Sequence, residues 1–245
     1  MDVTPLLTLL IAFISSILSG MAGVGGGFIM APYWLLIGLT PAQAATTGSF
    51  MALGMGLSSL AAFKNTGHFP KNKNLIVVLL TVTIIASVIG ATILPNVNPE
   101  SFKSILAIIT IISLPLLFVK KSGKKLNKKH QFVGLVLFSL FVLAGSIVFS
   151  SAFSILMAIV LTSFFSLTIL QSTALRRLIS TVQVLVLFSL LAYSGNFVAP
   201  HAFMGITGGI LGSYLGTKYA LRKGETFAKI ALVIGALISS MALLF

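Results

Sequence analysis

The sequence predicts an all-α membrane protein, folded as a polytopic bundle of helices. Of its 245 residues, 57% are hydrophobic and only 8% are charged, whereas a soluble domain carries about 25% charged residues. The apolar residues form continuous runs, as in 75–94, and do not alternate with polar residues as in the strands of a membrane barrel. This composition excludes a soluble enzyme and a disordered chain, which needs low hydrophobicity. Because a spanning helix needs about 20 apolar residues, the chain has room for roughly eight to ten segments.

Ten apolar segments are predicted along the chain, and two of them are short. The short segments, 28–39 and 152–165, each follow a stretch of small residues, at 20–27 and 145–151. Apolar runs of about 10–14 residues indicate broken or re-entrant helices rather than full spans. The predicted segments are 5–22, 28–39, 42–63, 75–94, 101–119, 131–149, 152–165, 168–193, 200–221 and 226–245.

The two short segments occupy corresponding places, which indicates an internal repeat. A shift of 125 residues aligns Gly20 with Gly145, and a nearby shift aligns Gly90 with Gly216. The order of segment lengths and glycines carries this comparison more than any single match. We therefore predict two duplicated halves joined by a basic linker, in the order 1–119, 120–130 and 131–245.

Lysine clusters predict which loops face the cytoplasm. Six lysines lie in 120–130 and three lie in 64–74, and cytoplasmic loops of membrane proteins are enriched in such cations. With both loops inside, the loop 194–199, which has no Lys or Arg, falls outside. The loop after the third segment is then inside in the first half and outside in the second, so the halves are inverted. We predict a multi-pass protein of a prokaryotic cytoplasmic membrane, in contact with lipid and not with nucleic acid.

Inverted repeats with interrupted helices are the architecture of carriers that work by alternating access, and the interruptions mark the substrate site. Four glycines in the first interruption lack a Cβ, so the backbone can turn and present N–H groups. Together with the start of the next helix, such groups favour an anion. The alternative is close helix packing through small residues, which is common in membranes.

Polar side chains follow both short segments at matched positions. In one interpretation they line the site; in the other, each Ser or Thr bonds to a carbonyl of its own helix. Arg176 is a candidate anion ligand or gate, because cations inside a membrane are costly and usually functional. The alternative, favoured for Arg177, starts this segment near Leu178 and leaves the arginine at the cytoplasmic interface. The predicted substrate-binding residues are Gly23, Gly25, Gly26, Gly27, Gln43, Thr46, Thr47, Ser49, Gln171, Ser172, Thr173 and Arg176.

The sequence gives little indication of catalysis, metal binding or a carboxylate site for cations. The chain has no cysteine, and its three histidines and three acids are scattered. They form neither a catalytic pair nor a metal set, so we predict no enzyme activity, no metal and no cofactor. The absence of acids from the segments also argues against a carboxylate site for Na⁺ or protons. Tyr33 and Trp34 are assigned either to the membrane interface or to the lining of the site.

Two stretches resemble the TauE/SafE sulfite exporter family. Residues 19–32 read S-G-M-A-G-V-G-G-G-F-I-M-A-P, and residues 38–49 read G-L-T-P-A-Q-A-A-T-T-G-S, similar to the family's G-x-G-G-G-F-x-x-x-P element and the A-x-x-T-S-like element that follows. The resemblance extends over the whole chain in length and layout. It implies a multi-pass prokaryotic transporter for sulfite, thiosulfate, organosulfonates or other small organic anions. The second half departs from the pattern, with V-F-S-S-A-F-S at 148–154 in place of a second glycine-rich element.

The sequence thus predicts a secondary transporter that moves a small anion by alternating access. An anion channel of the same architecture and a non-transporting scaffold subunit are the alternatives. Proton coupling is one way to energise the transport, and the sequence assigns no oligomeric state, direction or exact substrate.

Overall fold

The computed structural model describes residues 4–22, 27–96, 98, 128–148, 152–224, 226–227 and 230. Over these residues the chain forms eight α-helices and one short 3-10 turn, with no strand, which confirms the all-α prediction. The predicted segment 101–119 lies outside the described residues, as does most of 226–245. The helices are α1 (Thr4–Ala22), α2 (Gly27–Leu36), α3 (Pro41–Phe63), α4 (Lys73–Ile93), α5 (Lys128–Val148), α6 (Ala152–Phe164), α7 (Ile169–Tyr193) and α8 (Ala199–Lys223).

Helix length separates the membrane-crossing helices from the two short ones. Four helices are long and apolar enough to cross a membrane, within Thr4–Met21, Lys73–Asn96, Lys128–Ile147 and Ile169–Tyr193. Helices α3 and α8 have 23 and 25 residues, which is also enough to span about 30 Å at 1.5 Å per residue. Helices α2 and α6 have only 10 and 13 residues, so the prediction of two short helices is confirmed.

The surface of the bundle is apolar and its interior carries the small and hydroxyl side chains. Val77, Ile85 and Phe132 are more than half exposed, whereas Ser16 and Ser213 are completely buried. This distribution suits surroundings of hydrocarbon, where helices associate through small residues and interhelical hydrogen bonds rather than through the hydrophobic effect.

Helices α1 and α8 make the closest helix–helix contact. Gly208, Gly212 and Gly216 recur every four residues and therefore share one face of α8. A Cβ on any of them would lie within 3 Å of a carbonyl oxygen of α1. Backbones that approach this closely gain dispersion contacts along the whole pair. These carbonyl oxygens belong to Leu9, Phe13 and Ile17, in the order of the three glycines. Residue numbers thus rise together along α1 and α8, so the two helices run parallel.

Helix α3 completes this first group of helices through hydrogen bonds to α8. Ser213 Oγ donates to the carbonyl oxygen of Met55 at 3.0 Å, and the hydroxyls of Ser59 and Thr217 lie 2.8 Å apart. The contacts again advance in the same direction along both chains, so α3 is parallel to α8 and to α1.

Helices α4, α5 and α7 form a second group. A Cβ on Gly90 of α4 would collide with Ser146 of α5, and Gln183 Nε2 of α7 donates to Ser146 Oγ at 2.8 Å. Helix α4 thus packs on α5 and α7, as α8 packs on α1 and α3. In both groups the fourth helix of one predicted half lies against the first helix of the other.

Several local structures recur 128 residues apart. Thr40 and Gln43 form a capping box at the start of α3, with reciprocal bonds of 3.0 and 3.2 Å. Thr168 and Gln171 form the same box at the start of α7, with the same distances. Each box satisfies two backbone N–H groups at the first turn of its helix.

The equivalent helices α3 and α7 lie against each other in opposite directions. The rings of Phe50 and Phe188 are 5.0 Å apart, and a Cβ on Gly56 would meet Thr181. Residue numbers therefore rise along α3 as they fall along α7. This antiparallel pair joins the two groups of helices and lies at the centre of the described part of the bundle.

Candidate functional site

Helix α7 carries two arginines into the interior of the bundle. Arg176 and Arg177 are each only 3% exposed. The helix begins at Ile169, so Arg177 lies roughly 12 Å along it at 1.5 Å per residue. The interpretation that started this segment near Leu178 is therefore wrong, and Arg177 lies within the helix, buried by its neighbours. The Thr168 capping box is the physical reason, because it allows the helix to begin well before the arginines.

The two guanidinium groups hold the helices beside the two chain interruptions. Arg176 Nη1 donates to the carbonyl oxygen of Ser154 at 2.8 Å, in the first turn of α6. Arg177 Nη2 donates to the carbonyl oxygen of Ser19, in the last turn of α1, and contacts its Oγ at 3.4 Å. Arg176 Nη2 also donates to Thr173 Oγ1 at 3.3 Å. Helix α7 is thereby linked to one helix end from each half.

In each guanidinium the Nε–H donor is unused among the described residues. The Nε atoms of Arg176 and Arg177 are buried and have no hydrogen-bond partner among the described residues, and the same is true of Ser172 Oγ. A buried cation is costly unless it is paired. All three acids of the chain, Asp2, Glu100 and Glu225, lie outside the described residues. Two cations, two free N–H donors and a hydroxyl therefore suit an anion.

The polar cluster of the first half lies on α3. Thr46, Thr47 and Ser49 are completely buried. Thr46 Oγ1 donates to the carbonyl oxygen of Ala42 at 2.7 Å, as expected for a hydroxyl that only satisfies its own helix. Thr47 Oγ1 and Ser49 Oγ have no partner in the described part of the chain, so these two hydroxyls are the ones available to a ligand.

The structure separates this cluster from the arginines. Because Phe50 faces Phe188 and Gly56 lies against Thr181, Arg177 lies opposite the far end of α3, near residue 60. Thr47 is then roughly 20 Å from the arginine pair along the helix axis, at 1.5 Å per residue. The two polar clusters lie toward opposite ends of the α3–α7 pair.

The remaining predicted site residues have varied positions. Gln43 and Gln171 are half-buried and engaged in the capping boxes. Gly27 begins α2, whereas Gly23, Gly25 and Gly26 lie outside the described residues. Arg177 is the residue that the sequence analysis left out of the site, although its place beside Arg176 in an apolar stretch was the available signal. The described residues contain no group of three His, Cys, Asp or Glu side chains that could hold a metal ion.

Comparison with known proteins identifies the family. The model of the sulfite exporter TauE/SafE family matches residues 8–243. The chain belongs to the TauE/SafE family. This agrees with the resemblance found in the glycine-rich and Thr-containing elements of the first half.

Curated relatives of this TauE/SafE protein have transporter names. It is 26% identical over 229 residues to the "Probable membrane transporter protein" of Haemophilus influenzae, covering 91% of this chain and 88% of that one. It is 25% identical over 245 residues to the "Probable membrane transporter protein YfcA" of Escherichia coli K12, covering 96% and 87%. "Probable membrane transporter protein ORF9" of Sinorhizobium is 26% identical over 241 residues, covering 95% and 89%. No solved structure matches the chain. The protein is a multi-pass membrane transporter.

Proposed function

We propose that this TauE/SafE protein is a secondary transporter for a small anion, with Arg176 and Arg177 as the main substrate ligands. The observation that carries the proposal is the pair of buried guanidinium groups, each with an Nε–H that has no partner among the described residues. An anion between them would compensate the buried charge and accept charge-assisted hydrogen bonds, which are about twice as strong as neutral ones. Ser172 and Thr173 would complete the site from the same helix, and the glycines of 23–27 from the chain interruption.

Sulfite, thiosulfate or a short organosulfonate is the proposed substrate class. Each carries oxygen acceptors that match several N–H and O–H donors at once, and the family name points to sulfite. The sequence predicts no Asp or Glu within the membrane segments. The charge of the substrate itself would therefore balance the charge of the arginines during transport. We propose no enzymatic step.

Alternating access between two inverted halves is the proposed mechanism. It is supported by the matched capping boxes, by the exchanged pairing of α1 with α8 and α5 with α4, and by the antiparallel course of α3 and α7. The arginines join α7 to the ends of α1 and α6 through neutral carbonyl oxygens. A bound anion would compete for these donors, so binding and release would change how α7 is held against both helices. The loop 120–130 is proposed to face the cytoplasm.

Flux into proteoliposomes tests this proposal. Purified protein is reconstituted, and uptake of sulfite, thiosulfate and methanesulfonate is measured with and without a proton gradient. Saturable uptake with counterflow is expected of a carrier, whereas unsaturable flux without counterflow would replace the carrier by an anion channel. A response to the gradient would establish proton coupling. No flux of any of the three from folded protein would refute the transport of sulfur anions and favour the scaffold alternative.

Matched arginine variants connect the flux to the site. Arg176→Gln and Arg177→Gln should each reduce uptake strongly, because each removes a buried donor and its charge. Arg222→Gln is the control, since Arg222 is exposed at the end of α8. If all three variants transport alike, the arginine pair is not the substrate site.

A further inference from the structure

The single tryptophan of the chain is buried with an unused donor. Trp34 of α2 is completely buried, and its Nε1 has no hydrogen-bond partner among the residues described. An indole N–H can only donate, and leaving it unpaired in the interior costs the desolvation of that group. The position therefore calls for an acceptor.

Thr47 presents a second unpartnered group to the same interface. Trp34 and Met30 pack with Ala44 and Met51 of α3 in one buried cluster. Residues three and four apart share one face of a helix, so Thr47 lies between Ala44 and Met51 on the face toward α2. Its Oγ1 is buried as well and has no partner in the described part of the chain.

A hydrogen-bonded shell of polar groups adjoins the indole. Thr8 Oγ1 lies 3.0 Å from the carbonyl oxygen of Thr4, 2.6 Å from Tyr33 OH and 3.0 Å from His201 Nδ1. The half-buried imidazole meets the Trp34 ring edge-on, with the centroids 6.0 Å apart.

The corresponding places in the second half carry no unpartnered donor among the described residues: Thr162, 128 positions after Trp34, donates to the carbonyl oxygen of Ala158 at 2.9 Å. Residue 175, which lies 128 positions after Thr47, is a leucine that is completely buried in a cluster with Val160 and Leu161 of α6. The same packing of a short helix against its neighbour is thus achieved there without a buried Trp N–H or a Thr hydroxyl that lacks a partner. The unpartnered donors of the first half are therefore not required by the fold.

We propose that Trp34 Nε1 and Thr47 Oγ1 form a second binding subsite for the transported anion, roughly 20 Å along the α3–α7 pair from the arginines. The inference rests on the proposed function, because its ligand is the same sulfur oxyanion or sulfonate. Neutral donors bind an anion more weakly than a pair of guanidinium groups. The subsite would therefore receive or release the anion at the end of the bundle away from the arginines.

Fluorescence of the single tryptophan reports directly on anion binding at this subsite. Purified protein in detergent is titrated with sulfite, thiosulfate and methanesulfonate, at ionic strength matched with sodium chloride. Equilibrium dialysis with labelled thiosulfate measures total binding in parallel. We expect a saturable change in Trp34 emission that persists in the Arg176→Gln/Arg177→Gln double variant, which should have lost its flux.

Two adjacent threonines supply a matched pair of variants. Thr47→Val removes the unpartnered hydroxyl at nearly constant volume and should raise the half-saturation concentration of the fluorescence change at least tenfold. Thr46→Val removes a hydroxyl that already bonds to Ala42 and should shift it less than twofold. The subsite would be overturned if binding by dialysis and flux were intact but Trp34 emission did not change. It would also be overturned if Thr46→Val and Thr47→Val shifted the half-saturation concentration equally. Either result would leave the proposed function standing. No binding of any of the anions by dialysis would refute both.

Discussion

Replacing Arg177 by Gln separates the charge of the guanidinium from its size and polarity. The wild-type side chain donates to Ser19 through Nη2 and keeps Nε–H for the anion. One hydrogen bond between charged partners contributes about 1.5–3 kcal/mol. Its loss should raise the Kd for thiosulfate about 10- to 150-fold, since each 1.4 kcal/mol is a factor of ten.

The same substitution should change the stability of the empty protein much less. Loss of the bond to the Ser19 carbonyl oxygen is destabilising by about 1–3 kcal/mol. Removal of a buried cation beside a second cation offsets this loss, because burying an unpaired charge costs several kcal/mol. We therefore expect the Tm without ligand to move by less than about 5 °C, given roughly 2–4 °C per kcal/mol for a chain of this size.

Equilibrium dialysis with labelled thiosulfate and a thermal melt without ligand measure these two quantities, with Arg222→Gln as the exposed control. A Kd within twofold of wild type in Arg177→Gln would refute the role of this arginine as a ligand. An equal rise in Kd in the Arg222→Gln control would also refute it, since the effect would then reflect net charge rather than the site.

Three further predictions concern packing, topology and capping. Gly212→Ala should destabilise the protein by about 1–3 kcal/mol, because its Cβ would collide with the backbone of α1. Gly205→Ala is the control and should not destabilise it, since a Cβ there meets only ordinary contacts at 3.5–3.6 Å. Thermal melts of both variants measure the difference. The chain has no cysteine, so Lys71→Cys and Ser194→Cys can be labelled singly in intact cells, and labelling from opposite sides is expected for inverted halves. Labelling of both from one side would contradict inversion. Gln171→Ala should lower the Tm by loss of about 0.5–2 kcal/mol of capping energy with the thiosulfate Kd unchanged, whereas a raised Kd at constant Tm would instead place Gln171 in the site.

The helices could be predicted from the sequence because their signals are local. Apolar runs of sufficient length set the long helices, and small residues before 28–39 and 152–165 marked the two short ones. Pro41 is the first residue of α3, where its missing N–H costs nothing. The predicted segment 168–193 matches α7 (Ile169–Tyr193), and only the alternative start near Leu178, suggested by the Arg-Arg pair within the apolar run, is wrong.

The arrangement of the polar residues could not be predicted in the same way. Matched polar clusters in both halves suggested one shared site, but their separation depends on the antiparallel register of α3 and α7. That register is set by contacts between residues far apart in sequence, such as Phe50 with Phe188 and Gly56 with Thr181. Burial of Arg177 likewise follows from the position of α1, whose carbonyl oxygen at Ser19 accepts its hydrogen bond.

The two ends of the α3–α7 pair are equivalent in fold and different in chemistry, and this difference bears on how an anion would pass between them. Residues 128 positions before Arg176 and Arg177 are Gly48 and Ser49, so the cations have no counterpart on α3. Two cationic sites would bind the anion too tightly for release. A single cationic site with no donors beyond it would leave the charge of the anion uncompensated on the way to the other end. A cationic site at one end and neutral donors at the other provide unequal affinities along one path. In the proposed carrier, that inequality lets the anion leave the arginines for a weaker site instead of for bare hydrocarbon.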